Sequence, residues 1–158
     1  MQTRDTDSSP RPGPHGPADT GASQEGRVLV VDDDPRQRYE VASCLARAGL
    51  QVFECEDGAA VLDGIEEVHP HLVILDINSP HRDGDLIARD IIDRHPDVKI
   101  LLMTGDPERA RSANEAHLKV FTVMEKPVPL RALVRFVTSS VAASKEIRRG
   151  AARAFRYR

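Results

Sequence analysis

The sequence has few aromatic residues, few cysteines and no long apolar run. Aromatic side chains make up 4% of the residues and tryptophan is absent, which argues against a surface that stacks nucleic-acid bases. Cys44 and Cys55 form no CxxC motif and have no histidine at metal-ligand spacing, so we expect both to be small core residues. The apolar runs are too short to cross a membrane, and the N-terminus lacks the apolar core of a signal peptide. These absences favour a soluble, cytoplasmic protein.

The charge is distributed unevenly along the chain. The formal net charge is −3, but residues 145–158 carry six basic side chains against one acidic residue, a net charge of +5, which leaves −8 for residues 1–144. Residues 1–26 are rich in proline and glycine and contain almost nothing that could be buried. We therefore predict a disordered leader over 1–26, one globular domain over 27–143, and a basic helical extension or tail over 144–158.

From Arg27 onward, short apolar segments alternate with helical patterns. The predicted strands lie at 28–31, 51–54, 71–75, 98–103 and about 120–124. Five such strand-helix units predict an α/β fold in which a doubly wound, five-stranded parallel sheet carries helices on both faces. The last helix has an apolar stripe from Leu130 to Val141 and is expected to dock on the sheet. Ligands of such folds bind beyond the carboxyl ends of the strands, which is where functional residues are expected.

Polar residues stand at the ends of four predicted strands. Asp32 and Asp33 follow the first strand, Asp76 the third, Thr104 the fourth and Lys126 the fifth. All should converge at one edge of the sheet. Clustered carboxylates repel one another unless a cation lies among them, and oxygen ligands without His or Cys select a hard ion such as Mg²⁺.

This set of groups suits the transfer of a phosphoryl group to a carboxylate. Asp76 extends from a central strand, where it would be placed for in-line attack, and aspartyl phosphates are an established kind of covalent intermediate. Aspartate is ionised at neutral pH, so no general base is needed. Lys126 would supply a fixed positive charge and Thr104 a hydroxyl donor to the transferred group.

Four segments together resemble response-regulator receivers in order and spacing. They are Val-Leu-Val-Val-Asp-Asp-Asp-Pro at 28–35, Leu-Asp-Ile-Asn-Ser-Pro-His-Arg-Asp-Gly at 75–84, Met-Thr-Gly at 103–105 and Glu-Lys-Pro at 125–127. The resemblance covers about residues 27–143 and is to the single-domain, chemotaxis-receiver-like kind. It implies the flavodoxin-like receiver fold and a phosphorylation-dependent switch in two-component or phosphorelay signalling.

The resemblance also assigns roles to residues. It implies that Asp76 is the phosphoacceptor and that Thr104 and Lys126 grip the phosphoryl group. The metal ligands that it implies are Asp32, Asp33, Asp76 and the backbone carbonyl of Asn78. A cis peptide bond is implied between Lys126 and Pro127. Family members commonly carry Tyr or Phe three residues before the lysine, where this sequence has Val123, so transmission through an aromatic rotamer is not expected.

The implied partners are proteins. A sensor histidine kinase or a histidine phosphotransfer protein would donate the phosphoryl group, and a downstream protein or a second copy of the chain would bind the face of the fourth helix, fifth strand and last helix. Contacts with nucleic acid or membrane are not expected. The domain would assist its own phosphorylation and dephosphorylation without being an enzyme in the usual sense.

Other interpretations compete with this one. A Mg²⁺ phosphohydrolase would need a second acid two residues after the nucleophile, where Asn78 stands. A phosphorylation-independent scaffold, or a nucleic-acid-binding regulator that acts through the basic tail, is the remaining alternative, although the tail charge would specify no base sequence. Histidines outside the leader are expected to be inert, namely His69, His71, His81, His95 and His117.

Overall fold

The computed structural model describes residues 25–56, 58–77, 84–115 and 122–155. Within these ranges a parallel sheet has the strand order β2-β1-β3-β4-β5. Its strands are β1 (Arg27–Val31), β2 (Gln51–Cys55), β3 (Leu72–Asp76), β4 (Lys99–Thr104) and β5 (Thr122–Glu125). The helices are α1 (Pro35–Arg47), α2 (Val61–Val68), α3 (Gly84–Arg94), α4 (Pro107–Glu115) and α5 (Leu130–Phe155), with a 3-10 turn at Gly58–Ala60.

The sheet separates two apolar cores, because successive side chains of a strand point to opposite faces. Leu29 of β1 packs on one face together with Ile65 of α2 and Ile91 of α3. Val30 packs on the other face with Leu45 of α1 and side chains of α5. Every residue of β3 is buried, as expected for the central strand of a parallel sheet. The predicted doubly wound fold with helices on both faces is therefore confirmed.

Local sequence signals explain where several helices begin and end. The side chain of Asp34 accepts hydrogen bonds from the backbone N–H groups of Arg36 and Gln37, with Pro35 in the first turn of α1. Gly49, just after α1, has φ = +84°, a left-handed conformation that glycine adopts without a steric cost. A capping aspartate and a glycine therefore bound α1 at its two ends.

Some apolar side chains are less buried than others of the same elements. Leu86 of α3 is 58% exposed, because Ile87, Ala88 and Ile91 form the face that packs on the sheet. Cys44 and Cys55 form no disulfide bond and are half-buried rather than fully buried, and Cys55 packs against one of the two cores. The other strand bounds differ from those predicted by one residue, and the start of β5 predicted at about 120 lies outside the described residues.

The last helix packs as its stripe predicted and then continues. Leu133, Val137 and Val141 are buried against the sheet, and Ser144 is buried as well. Beyond Ser144 the chain stays helical to Phe155, within the range that was predicted to be a helical extension or tail. In the part of the chain that the structure describes, no helix combines the length and apolarity needed to cross a bilayer.

Candidate functional site

The site lies at the carboxyl edge of the sheet, where parallel strands end side by side. Asp32 directly follows β1, Asp76 is the last residue of β3, Thr104 the last of β4, and Lys126 directly follows β5. Asp76 pairs in register with Met103, one residue before Thr104. Four strands thus carry one predicted site residue each to the same edge.

Three carboxylates form a compact cluster at this edge. Oxygen atoms of Asp32, Asp33 and Asp76 lie within 4.8 Å of one another. Asp32 is 2% exposed and its Oδ1 accepts a hydrogen bond of 2.9 Å from the N–H of Asp34. Burial raises the pKa of Asp32 above its ordinary value and the charge of Asp76 adds to this, although the Asp34 N–H and Lys126 oppose it. Two of the three carboxylates are buried and that of Asp33 is exposed, and such a cluster of oxygen donors fits a hard divalent cation such as Mg²⁺.

Lys126 holds its charge beside the cluster. Its Nζ donates to Asp76 Oδ2 at 2.9 Å and to Gln37 Oε1 at 2.8 Å, and lies 3.4 Å from Asp32 Oδ2. Its backbone N–H donates to the carbonyl oxygen of Thr104 at 2.6 Å, so both main chain and side chain are fixed. The bond between Lys126 and Pro127 is cis, as the resemblance implied.

Thr104 links the site to α4. Its side chain is fully buried, and its Oγ1 accepts a hydrogen bond of 3.0 Å from the N–H of Asp106. Asp106 in turn caps α4, because its Oδ1 accepts from the N–H of Glu108 at 2.9 Å. A change at the hydroxyl of Thr104 would therefore act on the first turn of α4.

Two contributors to the site were not found from the sequence. Gln37 bridges Asp34 and Lys126, since its Nε2 donates to Asp34 Oδ2 at 3.0 Å. A glutamine three residues after an N-cap is a recognisable helix-start signal that could have drawn attention to it. Arg109 of α4 donates from Nη1 to the carbonyl oxygen of Ile77 at 2.8 Å, directly after the strand that carries Asp76. This contact joins residues far apart in sequence, and no local pattern indicates it.

A cavity of about 490 Å³ opens beside the acidic cluster. It lies between α1 and the start of α5, and Asp32 and Lys126 form part of its wall. Apolar side chains complete the lining, which includes Val41, Met103 and Leu133. The cavity leaves the lysine side of the site open to a molecule that approaches between these helices.

Several predicted positions lie outside the described residues, namely Asn78, His81 and His117. Val123 is described and is half-buried. It packs against the core on the α2 and α3 side of the sheet and pairs in register with Leu102.

A doubly wound parallel sheet with carboxylates, a threonine and a lysine at its carboxyl edge is the arrangement that the resemblance to response-regulator receivers implied. The family model of the response regulator receiver domain matches residues 28–138, and the chain belongs to this family. It is thus a receiver of two-component signalling, the class of domain that phosphorylation switches. Receivers bind Mg²⁺ through acidic residues and work with sensor histidine kinases.

Curated relatives agree with this assignment. The response regulator receiver protein CpdR of Brucella abortus is 30% identical over 118 residues, which are 75% of this chain and 98% of CpdR. The DNA-binding transcriptional regulator NtrC of Escherichia coli is 30% identical over 123 residues, which are 78% of this chain but 26% of NtrC. The chain therefore spans about a quarter of the length of the NtrC-type relatives.

Solved structures show the same fold. The response regulator TrrA of Thermotoga maritima, solved in complex with Mg²⁺ and BeF, has a TM-score of 0.66 and 27% identity, covering 73% of this chain and 98% of TrrA. A CheY-like receiver from Methanospirillum hungatei has a TM-score of 0.71 at 22% identity, covering 78% of this chain and 98% of that one. At that identity, the second likeness concerns the fold alone.

Proposed function

We propose that Asp76 accepts a phosphoryl group and that this modification is the switch of the protein. The observation that carries the proposal is the contact of 2.9 Å between Lys126 Nζ and Asp76 Oδ2, within the same cluster as Asp32 and Asp33. Asp76 is 7% exposed at the end of the central strand, so its carboxylate is held in place and reached from one side. Lys126 is 18% exposed at its side chain, which leaves its positive charge poorly screened by water.

The proposed reaction is a displacement at phosphorus. A carboxylate oxygen of Asp76 forms a bond to the phosphorus atom while the bond from phosphorus to the donor's imidazole nitrogen breaks. The nitrogen leaves with the electron pair and the imidazole takes up a proton from solvent. Lys126 offsets negative charge on the transferred oxygens, and Thr104 donates a hydrogen bond to one of them.

Mg²⁺ is the proposed cofactor. Asp32, Asp33 and Asp76 would hold it, together with the backbone carbonyl of Asn78. When bound, the ion supplies positive charge that offsets the charge on the attacking carboxylate and on the transferred phosphoryl oxygens. The all-oxygen donor set of the cluster supports the choice of a hard ion, and so does the Mg²⁺ complex of TrrA.

The proposed donor is a sensor histidine kinase or a histidine phosphotransfer protein. The protein itself assists the transfer and the later hydrolysis, and turns over no separate substrate. The cavity beside Lys126 supports an approach of the donor between α1 and the start of α5. The surface of α4, β5 and α5 is the proposed contact for a downstream protein or for a second copy of the chain.

The proposed route of the signal runs through α4. A phosphoryl group on Asp76 that accepts a hydrogen bond from the hydroxyl of Thr104 would draw Oγ1 away from the N–H of Asp106. Arg109 holds the same helix to the carbonyl of Ile77, next to Asp76. Both hydrogen bonds join residues next to Asp76 to α4. Breaking or keeping them would therefore shift α4 between two positions.

Intact-mass spectrometry of the full chain tests the proposal. Incubation with Mg²⁺ and acetyl phosphate should add one phosphoryl group to the wild type and none to Asp76→Asn. Asp63→Asn, which removes an exposed carboxylate on α2, is the matched control and should still be modified. An adduct that persists in Asp76→Asn would place the acceptor elsewhere, and its absence from the wild type would favour a phosphorylation-independent scaffold.

A further inference from the structure

A second, basic cavity lies at the amino edge of the sheet, opposite the phosphoacceptor. Its volume is about 190 Å³. The strand side is formed by the start of β1 and by the residue before β3, and the remaining wall by the basic extension of α5. The lining residues are Arg27, His71, Lys145, Arg148, Arg149 and Ala152. Among the residues that the structure describes, no acidic side chain lines this cavity.

Hydrogen bonds hold Arg27 and His71 in place on the strand side of the cavity. His71 is 4% exposed, and its Nδ1 accepts a hydrogen bond of 3.1 Å from the N–H of Arg27. The Nε of Arg27 donates to the carbonyl oxygen of His69 at 3.2 Å. Burial, with added repulsion from Arg148, Arg27 and Lys145, lowers the pKa of His71 to about 4. At neutral pH the imidazole is therefore uncharged, and the positive charge of the cavity comes from arginine and lysine.

Arg148 fixes the wall formed by α5. Its Nη2 donates to the carbonyl oxygen of Pro70 at 2.8 Å and lies 2.9 Å from Asp97 Oδ2. Its Nη1 donates to the carbonyl oxygen of His69 at 3.4 Å. The Nε of Arg148 is buried and has no hydrogen-bond partner within the described structure. Backbone carbonyls on the strand side therefore hold the other two guanidinium nitrogens of Arg148 at this wall.

We propose that this cavity binds a small molecule through a phosphate or pyrophosphate group. Guanidinium groups present paired N–H donors that match the oxygens of a phosphate, and here they face one concave space. The cavity is small and enclosed on its strand side by β1 and His71, which favours a compact oxyanion over an extended polyanion. The group would join α5 to the starts of β1 and β3, far from the acidic cluster.

Pyrophosphate is the probe that tests the site. Isothermal titration of the full chain without Mg²⁺ should show binding, and the double variant Arg27→Ala with Arg149→Ala should weaken it by at least about tenfold, the loss of one charge-assisted hydrogen bond. The matched control removes two exposed arginines of α5 outside the cavity, Arg131→Ala with Arg135→Ala, and should bind like the wild type. Equal weakening in both double variants, or no binding by the wild type, would refute the proposal.

A second readout separates this site from the rest of the molecule. In NMR spectra of the imidazole groups, pyrophosphate should shift the signal of His71, identified with His71→Gln, and leave that of His95 unchanged. A short DNA duplex serves as the competing ligand. The proposal would be overturned if the duplex displaced pyrophosphate and if its binding depended equally on both pairs of arginines. That result would show a nucleic-acid surface.

Discussion

Asp32 is a buried acid, and its surroundings in the fold disfavour the ionised form of its carboxyl group. Burial raises its pKa, so its ionised form lowers the stability of the folded state at neutral pH, and a cation in the cluster would relieve this cost. We predict that Mg²⁺ raises the Tm of the wild type. Asp32→Asn should raise the Tm without Mg²⁺ by a few degrees, equivalent to roughly 1 kcal/mol, and should lose most of the response to the ion.

Thermal unfolding at pH 7 with EDTA and with Mg²⁺ measures both effects. Asp63→Asn is the control and should respond to Mg²⁺ like the wild type, since Asp63 is exposed on α2. An unchanged response in Asp32→Asn would remove this residue from the metal site.

Gln37 is a positioning residue for Lys126. Gln37→Ala removes the acceptor 2.8 Å from Nζ, so the lysine samples more orientations around the phosphoryl group. We predict that phosphorylation by acetyl phosphate slows about fivefold, the equivalent of one hydrogen bond near 1 kcal/mol, with the loss in maximal rate and not in the concentration for half-maximal rate. Gln51→Ala, an exposed change on β2, should leave the rate unaltered.

The residues of the site differ in how far the sequence could reveal them. Asp32, Asp76, Thr104 and Lys126 could be predicted because parallel strands bring their carboxyl ends together whatever the details of packing. The contact of Gln37 depends on the rotation of α1 about its axis. Packing against the sheet sets that rotation. The sequence pattern shows which face of α1 is buried but not the exact rotation of the helix.

At the scale of elements, α5 continues past the end of its apolar stripe. The stripe predicted docking as far as Val141, and the structure confirms it. Past Ser144, Arg148 contacts the domain through the backbone carbonyls of His69 and Pro70. A hydrophobic pattern does not show hydrogen bonds to backbone carbonyls. The sequence therefore could not distinguish a packed helix from a free tail in this region.

Arg148→Ala should destabilise the fold by about 1–2 kcal/mol. Most of the loss comes from the carbonyl oxygen of Pro70, which loses the donor at 2.8 Å, whereas the carbonyl of His69 keeps the hydrogen bond from Arg27. Asp97 is 65% exposed at its side chain, so the ion pair there contributes little. Urea denaturation measures the free energy of unfolding. Arg135→Ala removes an exposed arginine of the same helix and should change it by less than about 0.5 kcal/mol. Equal stability of the two variants would contradict the proposed contact.

Two glycines in helices on the same face of the sheet differ in the space around them, so their substitution by alanine gives a matched comparison. A Cβ on Gly84, at the start of α3, would lie 2.8 Å from Ile77 Cα, so the backbone beside Asp76 must move. A Cβ on Gly64, within α2, would lie 3.5 Å from Leu29, an ordinary contact. Gly84→Ala should cost about 1–3 kcal/mol, whereas Gly64→Ala should be neutral or stabilising by up to about 1 kcal/mol. Thermal unfolding of both variants tests the contrast.

At the scale of the whole molecule, the sequence predicted the architecture because alternating strand and helix patterns admit few arrangements of a parallel sheet. The burial of His71 could not be predicted from the sequence. It was expected to be inert, yet its ring is enclosed between the start of β1 and the extension of α5. Such burial depends on an element more than seventy residues away in the chain.

His71 makes stability depend on pH. Its pKa is about 4 in the fold against 6.5 ordinarily, so the unfolded chain binds more protons between these values. The contribution of the neutral ring is full above pH 6.5 and falls as the pH drops toward 4, by about 2 kcal/mol at pH 5. His71→Gln keeps an acceptor for the N–H of Arg27 and should flatten this fall, as measured by urea unfolding at pH 7.5 and pH 5. An equally steep fall in the variant would contradict the prediction.

The acidic cluster and the basic cavity stand at opposite ends of the same strands. Strands of this length separate the two charges by about 15–20 Å, more than the Debye length of about 8 Å at physiological salt. The molecule therefore has a permanent dipole along its strands, and another charged molecule exerts a torque on it before contact. A partner with a cationic surface would meet the phosphoacceptor edge first, so more of their collisions would begin in the orientation that phosphoryl transfer requires.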